Sequence, residues 1–326
     1  MYSDLPAAAH TRTQALLARA RTAAPIRCAV VHLCDKESLQ GAMDAAAAGF
    51  IQPVLVANRA KLQAVADAAN VDISALELVD AQHSHDAAEI AAQMAASGQV
   101  QMLMKGSLHT DELLGAIVKN PQLRTARRMS HVFRFEVPRY PKPLLITDAA
   151  INICPDLAEK ADIVQNAIDF AQILGTPQPK VAILAAVETV NPKMQATLDA
   201  AALCKMADRG QITGGLLDGP LAFDNAISPE AVRIKGIVSQ VAGDADIVLA
   251  PDLESGNMLA KQLEYLGGAE GAGILLGARV PVVLTSRADG PKARSMSALL
   301  CALVAQHQQS LRLGSLKYGL ERTAFF

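Results

Sequence analysis

The sequence has no tryptophan, and aromatic residues make up only 3% of its 326 positions. Surfaces that grip single-stranded nucleic acid stack the bases on aromatic rings, so this composition argues against such a surface. Neither sign of charge dominates: 30 Lys and Arg against 32 Asp and Glu leave a net charge of -2, which offers no basic field to a polyphosphate backbone. Hydrophobic residues reach 51%, much of it alanine, yet no uninterrupted apolar run approaches the roughly 20 residues needed to span a bilayer. Nucleic acid and membrane are therefore not expected partners. The five cysteines, Cys28, Cys34, Cys154, Cys204 and Cys301, show no Cys-x-x-Cys spacing. An odd, scattered set argues against a disulfide framework and suits a reducing cytoplasm, with most of them small buried apolar residues. Near the N-terminus Arg12, Arg19 and Arg21 stand with Asp4 as the only acid, and no continuous apolar core of a secretory signal follows. Thr11 to Thr22 is expected to form a docked amphipathic helix, although Arg-rich, acid-poor beginnings also occur in transit peptides.

What the chain does have is a regular alternation. Short apolar strands are expected at Ile26–His32, Gln52–Ala57, Val100–Met104, Pro143–Ile146, Lys180–Ala185, Gly214–Leu217, Asp246–Ala250 and Pro281–Thr285. Alanine-rich helices are expected between them, at Glu37–Ala48, Asp86–Ala96, Thr110–Lys119, Asp156–Leu174, Pro192–Asp208, Pro229–Val241, Gly256–Leu266 and Pro291–Gln309. Strands alternating with helices make βαβ units, hence a mostly parallel sheet with helices on both faces and right-handed crossovers. At 326 residues there is room for two domains. The connector Val137-Pro-Arg-Tyr-Pro-Lys-Pro143, stiff and non-helical, is the natural boundary. The expected organisation is a discontinuous first domain of 1–140 plus 292–326 and a second of 141–291.

Polar residues gather where the strands end, and open parallel sheets bind ligands at the carboxyl ends of their strands. The expected strand 246–250 runs into Pro251-Asp252-Leu-Glu-Ser-Gly-Asn257, and Leu216-Leu217 runs into Asp218-Gly-Pro-Leu-Ala-Phe-Asp224. Lys105-Gly-Ser-Leu-His-Thr-Asp-Glu112 ends one strand and begins a helix, with Thr110 as its cap. There Gly106 lets a ligand approach the backbone, and Lys105, Ser107 and His109 can hold a phosphate or carbonyl oxygen; a well-capped helix start accounts for the same residues. Thr285-Ser-Arg-Ala-Asp289 follows the last strand. Ser286 brings a hydroxyl, Arg287 a fixed cation and Asp289 a carboxylate, enough to orient a nucleophile, hold a phosphoryl group and accept a proton. Ser-x-x-Asp is equally able to cap the final helix.

Arg124, Arg127, Arg128 and Arg134, with His131, form a basic patch suited either to a polyanionic ligand or to a solvated face. Asp244 and Asp246 precede their strand whereas Asp252 follows it, so no metal site is expected of them. Gly267-Gly268-Ala-Glu-Gly-Ala-Gly273, with Gly277, lies after a helix instead of opening one, which makes it a glycine-rich helix end and connector and not a dinucleotide fingerprint.

Across residues 100–290 these motifs together resemble the phosphate acetyltransferase and phosphate butyryltransferase family. The elements that carry the resemblance are Asp218–Asp224, Pro251–Asn257 and Pro281-Val-Val-Leu-Thr-Ser286-Arg287. The Lys105–Thr110 turn is similar to the family's Ser-Gly-x-x-His-Thr segment. The resemblance implies two three-layer α/β/α domains with a cleft between them, a cytoplasmic homodimer, no tightly bound cofactor, and coenzyme A as a substrate. It implies reversible acyl transfer, acetyl-coenzyme A plus phosphate giving acetyl phosphate plus coenzyme A, by direct thiolate attack in a ternary complex. Ser286 would then contact the thiol or transition state and Arg287 the phosphate, with Ser107, His109, Thr110, Asn257 and Arg134 binding substrate. Acetyltransferase members carry an Asp seven residues after that serine, where this chain has Ala293; butyryltransferase-like members carry Ser-Arg-Ala-Asp, matching Ser286–Asp289. Asp289 is accordingly the candidate base, and longer acyl chains are an alternative to acetyl. An NAD-dependent oxidative decarboxylase would require a metal-binding aspartate cluster that the sequence does not offer, and a non-catalytic sensor of acyl-coenzyme A or acyl phosphate would bind without turnover.

Overall fold

The computed structural model describes residues 7–286 and 289–322. The chain opens with α1 (Ala7–Ala20), β1 (Ile26–Val31), α2 (Lys36–Ala47), β2 (Ile51–Ala57), α3 (Arg59–Ala69), β3 (Glu77–Asp80), α4 (Ser84–Ala96), β4 (Met102–Lys105) and α5 (Thr110–Lys119). It continues through β5 (Ser130–Glu136), β6 (Leu144–Thr147), α6 (Leu157–Ile173), β7 (Lys180–Leu184), α7 (Gln195–Asp208), β8 (Leu216–Leu221), α8 (Phe223–Ile227) and α9 (Pro229–Lys235). It closes with β9 (Ile247–Leu249), α10 (Leu253–Tyr265), β10 (Glu270–Leu276), β11 (Val282–Val283) and α11 (Pro291–Arg322).

These elements form two compact units. One comprises Ala15–Arg124 with the chain from Ala278 onward, the other Thr125–Gly277 with the N-terminal residues up to Gln14. The junction between Arg124 and Thr125 comes earlier than the proline connector suggests, because β5, which precedes those prolines, pairs antiparallel with β6, which follows them.

In the unit of Ala15–Arg124 and Ala278 onward, the strands are parallel in the order β3-β2-β1-β4-β11. Val30, Val31, Val54, Leu55, Leu103 and Val283 are all fully buried, which is why these strands read as unbroken apolar runs. Successive strands step one way from β1 to β3 and back again to β4. Right-handed crossovers then place α2 and α3 on one face and α4 on the other.

In the other unit the order is β10-β5-β6-β9-β7-β8, with β10, β5 and β6 antiparallel and the rest parallel. Its core gathers Phe135, Ile146, Ala182, Val248 and Ala260, and the buried Tyr140 hydroxyl donates to the Ala245 carbonyl at 2.7 Å. At the N-terminus Arg12 of α1 pairs with Glu136 at 2.7 Å.

Three sequence expectations change. The glycine-rich connector is strand β10: Gly271 lies opposite Phe135 and Gly273 opposite Phe133. A Cβ on Gly271 would sit 2.5 Å from the Phe135 ring, and one on Gly273 2.7 Å from His131, so the glycines make room for large cross-strand neighbours. The segment Asp218–Leu221 lies within β8, not beyond it. Pro220 is tolerated there because β8 is an edge strand with a register shift against β7. The expected helix Pro229–Val241 ends at Lys235, capped by Gly236 at φ 65°, a left-handed cap that terminates the helix. Strands β3 and β5 and helix α3 were not expected. Among the described residues no helix is long and apolar enough to cross a membrane.

Candidate active site

In the parallel sheet of β3-β2-β1-β4-β11, strand order reverses at β1 and β4, and ligands of open α/β sheets bind outside such a switch point. The turns that follow β1, β4 and β11 carry the cluster of polar residues. Gly106 continues the ladder by donating to the Val31 carbonyl at 2.9 Å, and Ser107 donates its N–H to the His32 carbonyl at 2.9 Å. A Cβ on Gly106 would lie 2.5 Å from the Val31 oxygen, so glycine there is the condition for the two turns to meet. The Ser107 hydroxyl donates to Asp35 Oδ2 at 2.5 Å and accepts the Cys34 N–H at 2.9 Å. Asp35 also caps α2, accepting the Ser38 N–H at 2.7 Å and the Ser38 hydroxyl at 2.9 Å. Burial pushes the Asp35 carboxyl up, but the hydrogen bonds from Ser107 and Ser38, with the charge of Arg294, outweigh it and hold the group below its ordinary value.

His109 is exposed at the N-cap of α5 and makes no capping hydrogen bond with its side chain; Thr110, expected to be the cap, is the first helical residue. Cys34 Sγ lies 3.4 Å from His32 Nε2. Burial raises the Cys34 thiol, with Lys61 opposing and Asp35 adding to the rise. His32 is lowered chiefly by burial, against the opposing charge of Glu112.

Beyond β11, the exposed Ser286 donates its N–H to Asp289 Oδ2 at 2.7 Å, and Asp289 returns its own N–H to the Ser286 carbonyl at 3.2 Å. These two bonds tie Ser286 directly to Asp289 ahead of α11. Arg287 lies outside the described residues. The turns of this unit supply Ser107, His109, Thr110, Ser286 and Asp289, together with Asp35 and Arg294, which the sequence did not single out.

Asn257 and Arg134 belong to the other unit. Asn257 donates to the Ala149 carbonyl at 3.0 Å, fixing α10 to the turn after β6. That turn is folded around Asp148, 3% exposed, whose carboxylate accepts from the N–H groups of His131, Ala150 and Ile151 and from Asn152 Nδ2 at 2.6–3.2 Å. Asn152 in turn accepts from Arg128 Nε at 2.8 Å. Arg134 does not present its charge to an incoming anion. Its guanidinium is 5% exposed and pairs with Glu136 at 2.6 Å, so the expected substrate ligand is a core ion pair. Arg127 and Arg128 are likewise paired, with Asp169 and Glu159, so three of the four arginines of the basic patch stand in ion pairs. Asp244 and Asp246 are bridged by Lys142, and Asp244 also by Lys180. Among the described residues no group of three or more His, Cys, Asp or Glu is placed to hold a metal ion.

Comparison with known proteins gives a consistent result. A family model described as phosphate acetyl/butaryl transferase matches residues 82–302. A phosphate acetyltransferase of Rhizobium meliloti is 54% identical over 92% of this chain and 95% of its own length. A phosphate butyryltransferase of Clostridium acetobutylicum is 43% identical over 83% of this chain and 90% of its own. Among solved structures, a branched-chain phosphotransacylase from Enterococcus faecalis V583 superposes with a TM-score of 0.75 at 32% identity, covering 86% of this chain and 99% of that one.

Proposed function

Because the chain belongs to the phosphate acetyl/butyryl transferase family, a family of acyltransferases, we propose that it interconverts acyl-coenzyme A and acyl phosphate, with Ser286 and Asp289 at the reacting centre. The observation that carries this reading is the Ser286–Asp289 hydrogen-bonded pair after β11, beside the switch point at β1 and β4. In the direction of thioester synthesis, the coenzyme A thiol gives its proton to Asp289 and its sulfur attacks the acyl carbonyl. The C–S bond forms, the C–O bond to phosphate breaks, and phosphate leaves with the bonding pair. Ser286 supplies a hydrogen bond to the sulfur or to the developing oxyanion. Arg287 is assigned to the departing phosphate on its chemistry, a fork of donors matched to phosphate oxygens.

Direct transfer is favoured over an acyl-cysteine intermediate, since Cys34, the thiol of these turns, is raised by burial and so is a poor source of thiolate. His109 and Thr110, at the positively polarised start of α5, suit the anionic groups of either substrate. Ser107 serves through the turn it ties, because its hydroxyl proton is given to Asp35. Asn257 is assigned to substrate through the 251–257 motif. Acetyl is the first choice of acyl group, on the 54% identity to an acetyltransferase. The Ser-Arg-Ala-Asp order and the 43% identity to a butyryltransferase favour longer chains as the second. A homodimer in a reducing cytoplasm, without a tightly bound cofactor, completes the proposal; all five cysteines are free thiols.

The test is thioester absorbance with coenzyme A and acetyl, propionyl or butyryl phosphate. Thioester formation at rates that rank the three establishes the activity and the acyl preference together. Coenzyme A binding without turnover on any of them would replace the transferase with a sensor.

A further inference from the structure

Arg294 is 2% exposed in the first turn of α11, where an unneeded cation would be costly to bury. Its three nitrogens are all engaged. Nη1 donates to Thr285 Oγ1 at 2.9 Å, Nη2 to the Ser286 carbonyl at 3.1 Å, and Nε to the Asp289 carbonyl at 3.2 Å. Two of those acceptors are backbone atoms of the residues assigned to the chemistry, and the third is their immediate neighbour. On the other side its aliphatic stem lies against α2. A Cβ on Gly41 would stand 2.8 Å from Arg294 Cβ and 2.9 Å from Cδ, so glycine at 41 is what admits the arginine. Its charge also reaches Asp35, which ties the turns after β1 and β4.

We infer that Arg294 is a positioning residue for acyl transfer, its guanidinium fixing Ser286 and Asp289 against α2 without touching substrate. The inference rests on the transferase reading. A planar guanidinium is suited to the task because three acceptors in different directions need a rigid fork of donors, which a lysine ammonium on a flexible stem does not reproduce. The benefit is one of geometry: a misplacement of about 1 Å at a reacting group costs on the order of 100-fold in rate.

Arg294→Ala is expected to lower kcat about 100-fold per folded molecule, while KM for coenzyme A and for acetyl phosphate stays within about twofold. Added guanidinium ion should restore part of the loss where an equal concentration of sodium does not, and Arg294→Lys should fall between Ala and wild type. Gly41→Ala, which leaves every polar group in place, should lower kcat in the same direction. An arginine that only stabilised the fold would shift the melting temperature and leave kcat per folded molecule unchanged, and that result overturns the inference. So does a rise in KM of about tenfold with kcat retained, which would make Arg294 a substrate ligand. If Arg294→Ala does not fold, Thr285→Val removes one acceptor of the clamp at matched volume; a fall in kcat with unchanged KM supports the inference, and an unchanged kcat overturns it. The wild type separates the two readings. A wild type that makes no thioester removes the transferase and this role with it, whereas an active wild type equalled by Arg294→Ala removes this role alone.

Discussion

Asp35 and Asp148 each lie just beyond a strand and each organise a turn with one carboxylate, yet they do so in different ways. Asp148 is 3% exposed and collects mostly local donors, from Ala150, Ile151 and Asn152, plus one N–H from the adjacent strand β5. Asp35 is only partly buried, and its shortest hydrogen bond comes from Ser107, in a different turn. The Asp148 turn is held mainly by its own sequence, whereas Asp35 caps its own helix and also joins two turns. A self-contained turn of that kind is architecture, whereas a junction at the end of the sheet can be adjusted and used.

Substitutions sharpen that contrast. The largest loss of stability belongs to Asp148→Ala, which strands several buried donors and should cost about 3–5 kcal/mol, read from urea unfolding. A change under 1 kcal/mol would erase the distinction between the two aspartates. Next is Asp289→Asn. Removing the general base should slow thioester formation about 100-fold, roughly 2.7 kcal/mol of barrier, and alter its pH dependence with little change in melting temperature. An unchanged rate would take Asp289 out of the mechanism. Gly256→Ala should cost about 1–3 kcal/mol in unfolding experiments, because the new Cβ would lie 2.5 Å from the Asp148 carbonyl oxygen. If instead it unfolds like wild type, the Asp148 turn is less rigid than its hydrogen bonds indicate.

The smallest effect is that of Asp35→Asn, about 1 kcal/mol at neutral pH. Because the folded-state pKa of Asp35 is lowered, its contribution is complete above the unfolded-state value near 4 and is lost as pH falls through the folded-state value. Wild type and Asp35→Asn should therefore begin to converge in stability as pH falls below about 4, and meet only below the folded-state value. A constant gap down to pH 2 would mean that the carboxylate charge plays no part in the tie.

Much of this was legible in advance. The alternation of apolar runs and alanine-rich helices identifies the α/β class, since buried parallel strands must be apolar on both sides. The Thr285–Asp289 motif announces itself by three reactive side chains after such a run. Other elements are silent for physical reasons. Strand β10 is hidden by its glycines, whose purpose emerges only when the rings of His131, Phe133 and Phe135 are set opposite. Strand β5 is disguised by Arg134 and Glu136, charges that neutralise each other inside the unit. Arg134 looked like a ligand-binding cation for the same reason: charge is visible in a sequence and pairing is not. Asp35 reads as an ordinary helix cap, which it also is, and nothing local reports its bond to Ser107. Arg294 resembles any helical arginine until its three acceptors are seen.

The interruption of one unit by the other has a consequence for how the protein is made. The ribosome releases residues 15–124 before residues 125–277, but strand β11, which pairs with β4, and helix α11, which carries Arg294, belong to the chain after residue 277. The intervening unit, whose strands all lie before residue 278, is synthesised in full while the earlier segment still lacks its last strand. Ser286, Asp289 and their clamp therefore emerge only after the intervening unit. A nascent or truncated chain ending before them has most of its sheet strands and none of the groups assigned to the chemistry beyond β11, so the competence to turn over acyl groups follows completion of the intervening unit and comes with helix α11.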